Sequence, residues 1–277
     1  MPRSALSTAP ALPFRIVLWL FGLITVIPFG LLLLTSLKSK ADVMKGAFAL
    51  PAYPHFENYV NAWTDGRFGT YFVNSVIVVV PVVGVSILLG LIAGFAFAYL
   101  SFPFKKSIFV ILTIGLMVPI EAFIIPLYYE MLYLHLINTY WVLILTQIAL
   151  SVPFSTIFMA SAMRQLPTEV LEAAVLDGAT RPQVLLSVVV PLLAPAVSTL
   201  ALFLFIWTWN EFLLPLILVN DDALRTLPIG ALFFQGKYTV NTPVLTAGAV
   251  IVIAPIIVVY LIFQRKFIEG LTSGANK

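Results

Sequence analysis

The chain has 277 residues, 61% of them hydrophobic and only 10% charged, with a mean hydropathy of +1.06. Soluble domains carry about 25% charged residues, so a water-facing surface cannot be built from this composition and lipid must cover much of the chain. The formal net charge of +3 comes from basic residues set singly or in pairs beside apolar stretches, which excludes nucleic acid as a partner, and the absence of cysteine excludes disulfides, Cys-ligated metals and thiol chemistry.

A helix needs roughly 20 apolar residues to cross about 30 Å of hydrocarbon. The first such stretch, 15–36, is too long for a signal-peptide core. It runs into Leu34-Thr35-Ser36-Leu37-Lys38 without a small-residue cleavage pattern, so it reads as a retained anchor. The loop from about 37 to 70 carries Phe48, Pro51, Tyr53, Pro54, Phe56, Tyr59, Trp63 and Gly66. It is predicted to lie on the membrane or against a partner without forming a domain. His55 in this loop and His135 further on have no second ligand at metal spacing and read as loop histidines. In the second stretch, 72–100, Gly90, Gly94 and Ala98 recur at four-residue spacing, which predicts close approach of another helix backbone. The third, 107–128, contains Glu121, and the fourth is 140–163. After a polar connection, 191–219 and 244–264 follow, about six spans in all. Pro28, Pro81, Pro119, Pro126, Pro153, Pro215 and Pro255 lie in or near these spans, and kinks are expected there.

The fold class is therefore an all-α polytopic membrane protein. Residues 1–70 form an amino-terminal tail, first span and outer loop, 71–265 a five-helix core, and 266–277 a tail. With the amino terminus inside, Arg3, Arg15, Lys105, Lys106, Arg164, Arg181, Arg265, Lys266 and Lys277 fall on the cytoplasmic side. Lys38, Lys40, Lys45, Arg67, Arg225 and Lys237 fall outside. The larger basic share is inside, so both termini are expected to be cytoplasmic.

The connection between the fourth and fifth spans, 166–191, is the most informative segment. Thr168 is placed to cap a helix whose first turn holds Glu169 and Glu172, acids suited to the positive end of the helix dipole. Gly178 suits the left-handed position past a helix end. Thr180 with Gln183 has the form of a capping box for a second helix. The pattern predicts helix, glycine turn, helix at the membrane surface, with Ala173 and Ala174 keeping one face low. Taken alone, it also fits an ordinary interfacial amphipathic hairpin.

The order Glu172-Ala173-Ala174, then Gly178, then Val188, Val190 and Pro191 resembles the EAA loop of binding-protein-dependent ABC importer permeases. Val stands where that family prefers Ile and Leu. Leu166-Pro167 and Asp177-Gly178-Ala179 resemble its carbohydrate-uptake branch, as does Trp207-Thr208-Trp209-Asn210-Glu211-Phe212. Pro119-Ile120-Glu121, Pro126-Leu127-Tyr128 and Asn138-Thr139-Tyr140 also fit, and the ending from Gln264 to Ala275 is similar to that of the smaller maltose-transporter membrane subunit. The resemblance runs from about residue 14 to the end. It implies the type I importer permease fold in a bacterial or archaeal cytoplasmic membrane. It also implies a coupling helix built on Glu172, Ala173, Ala174, Asp177 and Gly178 that docks on an ATPase. The implied partners are a second, homologous permease, two ATP-binding subunits and an extracytoplasmic sugar-binding protein. The chain contains no Gly-x-x-x-x-Gly-Lys-Ser/Thr loop, so ATP and Mg are expected on the partner subunits. With no catalytic constellation, an enzyme is not expected.

Ionisable groups within spans are costly and are candidates for function. Glu121 and Glu211 stand in this position. On an ideal helix Trp207, Asn210, Glu211 and Leu214 share a face, while Trp209 points away. The first three, with Glu121, are expected to line a substrate pathway or gate, and Trp209 to sit in the interfacial aromatic belt. Two rival readings remain at this point: a secondary transporter coupling a proton or cation through Glu121 and Glu211, and a non-transporting scaffold.

Overall fold

The computed structural model describes residues 12–230 and 241–273. Arg3, Lys237 and Lys277, used above for orientation, lie outside them, as do Gly274 and Ala275 of the tail. The described residues are mostly helical and contain no strand. In chain order the helices are α1 (Leu12–Ser36), α2 (Lys40–Met44), α3 (Glu57–Asp65), α4 (Phe68–Tyr99), α5 (Lys105–Met117), α6 (Ile124–Tyr133), α7 (Tyr140–Met163) and α8 (Thr168–Leu176). There follow α9 (Arg181–Gln183), a π-helical segment Val184–Val189, α10 (Val190–Leu192), α11 (Ala194–Asn210), α12 (Leu213–Leu218), α13 (Leu227–Gly230) and α14 (Thr242–Ser273).

Among the described residues four helices are long and apolar enough to cross a membrane: α1, α4, α7 and the Thr242–Arg265 portion of α14. A fifth is reached if Arg181–Leu192 and α11, bent by 81° at Leu193, count as one span. The expected third span is not one helix. It breaks after Met117 because Val118, held extended before Pro119 (φ −85°, ψ 120°), cannot continue the α-helix. A 3-10 turn, Ile120–Ala122, then leads into α6. The expected fifth span is likewise divided, since α11 ends at Asn210 and Glu211 is extended (ψ 121°) before α12 begins. Pro28, Pro81, Pro153 and Pro255 are accommodated inside helices without ending them.

The chain divides into two units. The first comprises residues 1–67 and 231–251. Here α1 exposes apolar side chains along most of its length, as a lipid-facing helix does. The segment after it is tied by polar groups. Asn58 donates to the Ser36 and Lys38 carbonyls at 2.9 Å each, and Ser36 Oγ pairs with Tyr59 Oη at 2.6 Å. The buried Lys38 ammonium donates to the Gly46 and Ala47 carbonyls, which satisfies a charge that burial would otherwise penalise. Lys45 and Ser39 hydrogen-bond to Asp42 and hold its carboxyl down to about 2. Ala62, Val244 and Ala247 form a small apolar cluster with Tyr59 and Ile251.

The second unit comprises residues 68–230 and 252–277. Its centre is the pairing of α4 with α7. A Cβ at Gly90 would lie 2.7 Å from Ser155 Cβ, and one at Gly94 2.9 Å from Met159 Cβ, so two backbones meet where the sequence has no side chain. Tyr99 Oη donates to the Met163 carbonyl and Arg164 to the Phe97 carbonyl, closing the same pair at one end. At the other end Asn74 donates to the Ala223 and Arg225 carbonyls and accepts from Tyr140 Oη. Asn138, in the left-handed region at φ 59°, accepts from the Asn220 and Asp221 amides. Thr139 caps α7. Two cores result. Val78, Val82, Leu143, Leu214 and Leu218 belong to the one near Asn138. Leu91, Phe95, Met159, Met163, Leu200 and Leu204 belong to the one beneath α8.

Candidate functional site

The hairpin that follows α7 is built by local chemistry. Pro167, extended, occupies the N-cap of α8, and Thr168 is its first helical residue. The expected Thr168 cap does not form, because ψ 130° at Pro167 already sets the helix start. The far end closes with three backbone bonds: Asp177 N–H to Ala173 O, Gly178 N–H to Val175 O, and Ala179 N–H to Ala174 O, each 3.0 Å. The last two form a Schellman closure, and Gly178 at φ 83° supplies its left-handed residue. Gln183 Oε1 then accepts from the Thr180 amide at 2.8 Å, the side-chain half of the capping box. The expected second helix is not uniformly α. It widens into the π-helical segment, where the Val190 amide reaches back to Leu185.

Leu171 and Ala174 pack α8 onto the core formed by Met163, Val184, Leu185, Val189 and Leu200. Glu172, Ala173, Asp177 and Gly178 remain exposed, as do Val175 and Leu176, the latter 87%. A shallow, mostly apolar depression lies between Leu171, Glu172, Val175 and Leu176. One face of α8 is thus fixed to the bundle, and the opposite face offers apolar side chains with an acid at their edge.

The second feature lies where α11 ends. Trp207 is half exposed, with its indole edge-on to Phe154 (4.7 Å between ring centres) and stacked on Phe203. Asn210 bonds back to the Ile206 carbonyl. Glu211 accepts the Leu214 amide at 3.1 Å, so its carboxylate caps the start of α12. Trp207, Thr208 and Glu211 line a cavity of about 120 Å³ with Gln147, Leu150 and Ser151 of α7. Glu121 does not line this cavity. It is exposed on the 3-10 turn Ile120–Ala122, outside any helix that spans. Leu214, expected on the Trp207 face, is buried in the adjacent core. Trp209 is not in an aromatic belt: it is 2% exposed, stacks on Phe205, and donates its indole N–H to the Val252 carbonyl at 3.0 Å. An indole that finds both an apolar bed and an acceptor inside the protein has no reason to stand at a lipid interface.

Gln147 and Ser151 went unremarked in the sequence. They sit one helical turn apart in α7, where Thr146, Ser155 and Thr156 are polar too, so nothing in the pattern singles out the one amide.

A family model described as the binding-protein-dependent transport system inner membrane component matches residues 86–272. The chain belongs to this family. The match takes in the α8 hairpin and all of α11. The diacetylchitobiose uptake system permease protein NgcG of Streptomyces coelicolor is 35% identical over 94% of this chain and 86% of its own length. The trehalose transport system permease protein SugB of Mycobacterium tuberculosis is 33% identical, covering 94% and 91%. The arabinooligosaccharides transport system permease protein AraQ of Halalkalibacterium halodurans is 33% identical, covering 92% of each chain. A crystal structure of a bacterial ABC transporter involved in the import of the acidic polysaccharide alginate contains a chain that superposes with a TM-score of 0.77. The two are 24% identical, covering 91% of this chain and 94% of that one. This likeness establishes the fold, that of an ABC importer membrane component. The chain is accordingly a multi-pass membrane protein and a transport permease rather than an enzyme.

Proposed function

We propose that this inner membrane component is a permease subunit of an ATP-driven sugar importer, forming half of the translocation pathway and receiving the force of ATP hydrolysis through α8. The observation that carries the reading is the hairpin. Its Schellman turn fixes α8 across the end of the bundle, and its free face presents Glu172, Ala173, Val175 and Leu176 to a partner. In this reading Glu172, Ala173, Ala174, Asp177 and Gly178 seat the chain on an ATPase subunit in the cytoplasm, and both termini lie on that side. ATP and Mg bind the partner ATPases. A second, homologous permease completes the channel, and an extracytoplasmic binding protein delivers the sugar. The sugar class is taken from the relatives, which transport diacetylchitobiose, trehalose and arabinooligosaccharides by name. Trp207, Asn210 and Glu211 line the pathway at the end of α11, and Glu121 stands beside it at the break between α5 and α6. The secondary-transport alternative gains nothing from the geometry, since Glu121 is not in the lining of the cavity that Glu211 lines with Trp207 and Gln147.

The test is reconstitution of the chain with its partner permease, ATPase and binding protein in liposomes. Sugar uptake is expected only with ATP. Uptake driven instead by an imposed proton or sodium gradient without ATP would overturn the reading.

A further inference from the structure

We infer that Gln147 is a sugar-recognition residue, and that the cavity it shares with Trp207 and Glu211 is a saccharide subsite carried by this subunit; the inference rests on the importer reading above.

The first observation is positional. Gln147 is only 5% exposed, in the middle of α7, yet among the described residues its amide hydrogen-bonds to none. The amide is not among the sealed, unpaired polar atoms of the described residues, so the polar end of an otherwise buried side chain reaches open space, where water or a ligand can bond it. An amide offers two donors and an acceptor with two lone pairs, and here they open onto the cavity beside α11.

The second observation is the chemistry of the other walls. The Trp207 indole is half exposed and held by Phe154 and Phe203, so it presents a fixed aromatic surface. Glu211 holds a carboxylate at the cavity with one oxygen on the Leu214 amide. Ser151 adds a hydroxyl, although it lies among half-buried residues one turn from Gln147. Sugars display hydroxyls along a ring edge and apolar C–H groups on its faces. An aromatic wall, an amide and a carboxylate are the complementary set. Among the described residues no Lys or Arg lines the cavity, so its walls suit a neutral hydroxylated ring rather than an anion. The volume, about 120 Å³, equals about four waters at liquid density. It accepts the edge of one sugar residue while the rest of the molecule lies in the path.

A merely structural glutamine would respond differently to substitution. Gln147→Leu keeps the volume and removes an amide that bonds to none of the described residues, so it should leave the fold intact. The experiment uses the complete importer in liposomes, with trehalose, diacetylchitobiose and arabinotriose as probes. Uptake per assembled complex by Gln147→Leu is expected to fall by about tenfold or more, because a site that hydrogen-bonds a hydroxyl discriminates strongly against its loss. Gln147→Asn, which keeps the amide's two donors and its acceptor oxygen on a shorter stem, should retain more uptake than Gln147→Leu. Since the chain has no cysteine, Ser151→Cys provides a reporter: a methanethiosulfonate reagent should modify it, and the transported probe should slow that modification. Wild-type uptake by Gln147→Leu overturns the inference and leaves the importer reading standing. A Gln147→Leu loss that tracks a smaller yield of assembled complex also overturns it, and assigns the amide to contact with the second permease. A wild-type importer that hydrolyses ATP yet takes up none of the three probes overturns the sugar reading, and the subsite with it.

Discussion

Gly178 is the position where one side chain decides the geometry of a whole segment. Its φ of 83° is a conformation that a β-branched residue adopts only with strain, and nothing lies within 4 Å of the Cβ it lacks. The cost of substitution there is therefore conformational and not steric. Gly178→Val should weaken the turn by about 1 kcal/mol or more and swing α8 off its bed, whereas Gly178→Asn, which tolerates the left-handed region, should not. The expected outcome is a Gly178→Val complex that assembles but whose ATP hydrolysis no longer rises with sugar-loaded binding protein. Gly178→Asn should keep most of that rise. Equal stimulation in both variants would remove α8 from the coupling path.

At the level of elements, the α4–α7 pair sets how rigid the second unit is. With Gly90 and Gly94 backbone-to-backbone against Ser155 and Met159, even one methyl forces the helices apart. Overpacking of this kind costs about 1–3 kcal/mol. Gly90→Ala and Gly94→Ala should each lower the melting temperature of the purified protein, while Gly84→Ala, with open space around it, should not. A Gly90→Ala protein as stable as the parent would show that the helices separate without penalty. This pairing was legible in the sequence because small residues at four-residue spacing have one efficient use between membrane helices. The Schellman turn was legible for a similar reason: Gly178 fills a role that few residues can. The breaks were harder to read. A kink was expected at Pro119, but hydropathy over 107–128 registers length without registering that Val118, before the proline, resists the α region and ends the helix there. Trp209 was misplaced because an indole suits either a lipid interface or a buried bed with an acceptor. The Val252 carbonyl that decides between them is 43 residues away in sequence. Gln147 was missed because a single amide in a span carries no pattern. Only the cavity beside it gives it meaning.

For the molecule as a whole, the placement of charge makes a definite statement about the membrane. The expected sidedness puts α2 outside and the α8 hairpin inside. Lys40 and Asp177 are both exposed, and the chain offers no competing thiol. Lys40→Cys should react with an impermeant maleimide in intact cells (spheroplasts, if an outer wall intervenes). Asp177→Cys should react only after the membrane is opened. Labelling of both from outside would require an even number of crossings between them and reverse the assignment of α8 to the cytoplasm.

The bend at Leu193 has a mechanical consequence. The segment Arg181–Leu192 meets α11 at 81°, and the same core side chains, Leu185, Val189, Leu200 and Leu204, grip both arms and the underside of α8. This is the geometry of a bell crank. The 17 residues of α11 make an arm about 25 Å long at 1.5 Å per residue. A tilt of about 5° at Leu193 would therefore carry Trp207 and Glu211 sideways by about 2 Å, enough to make or break a hydrogen bond to anything resting against Gln147.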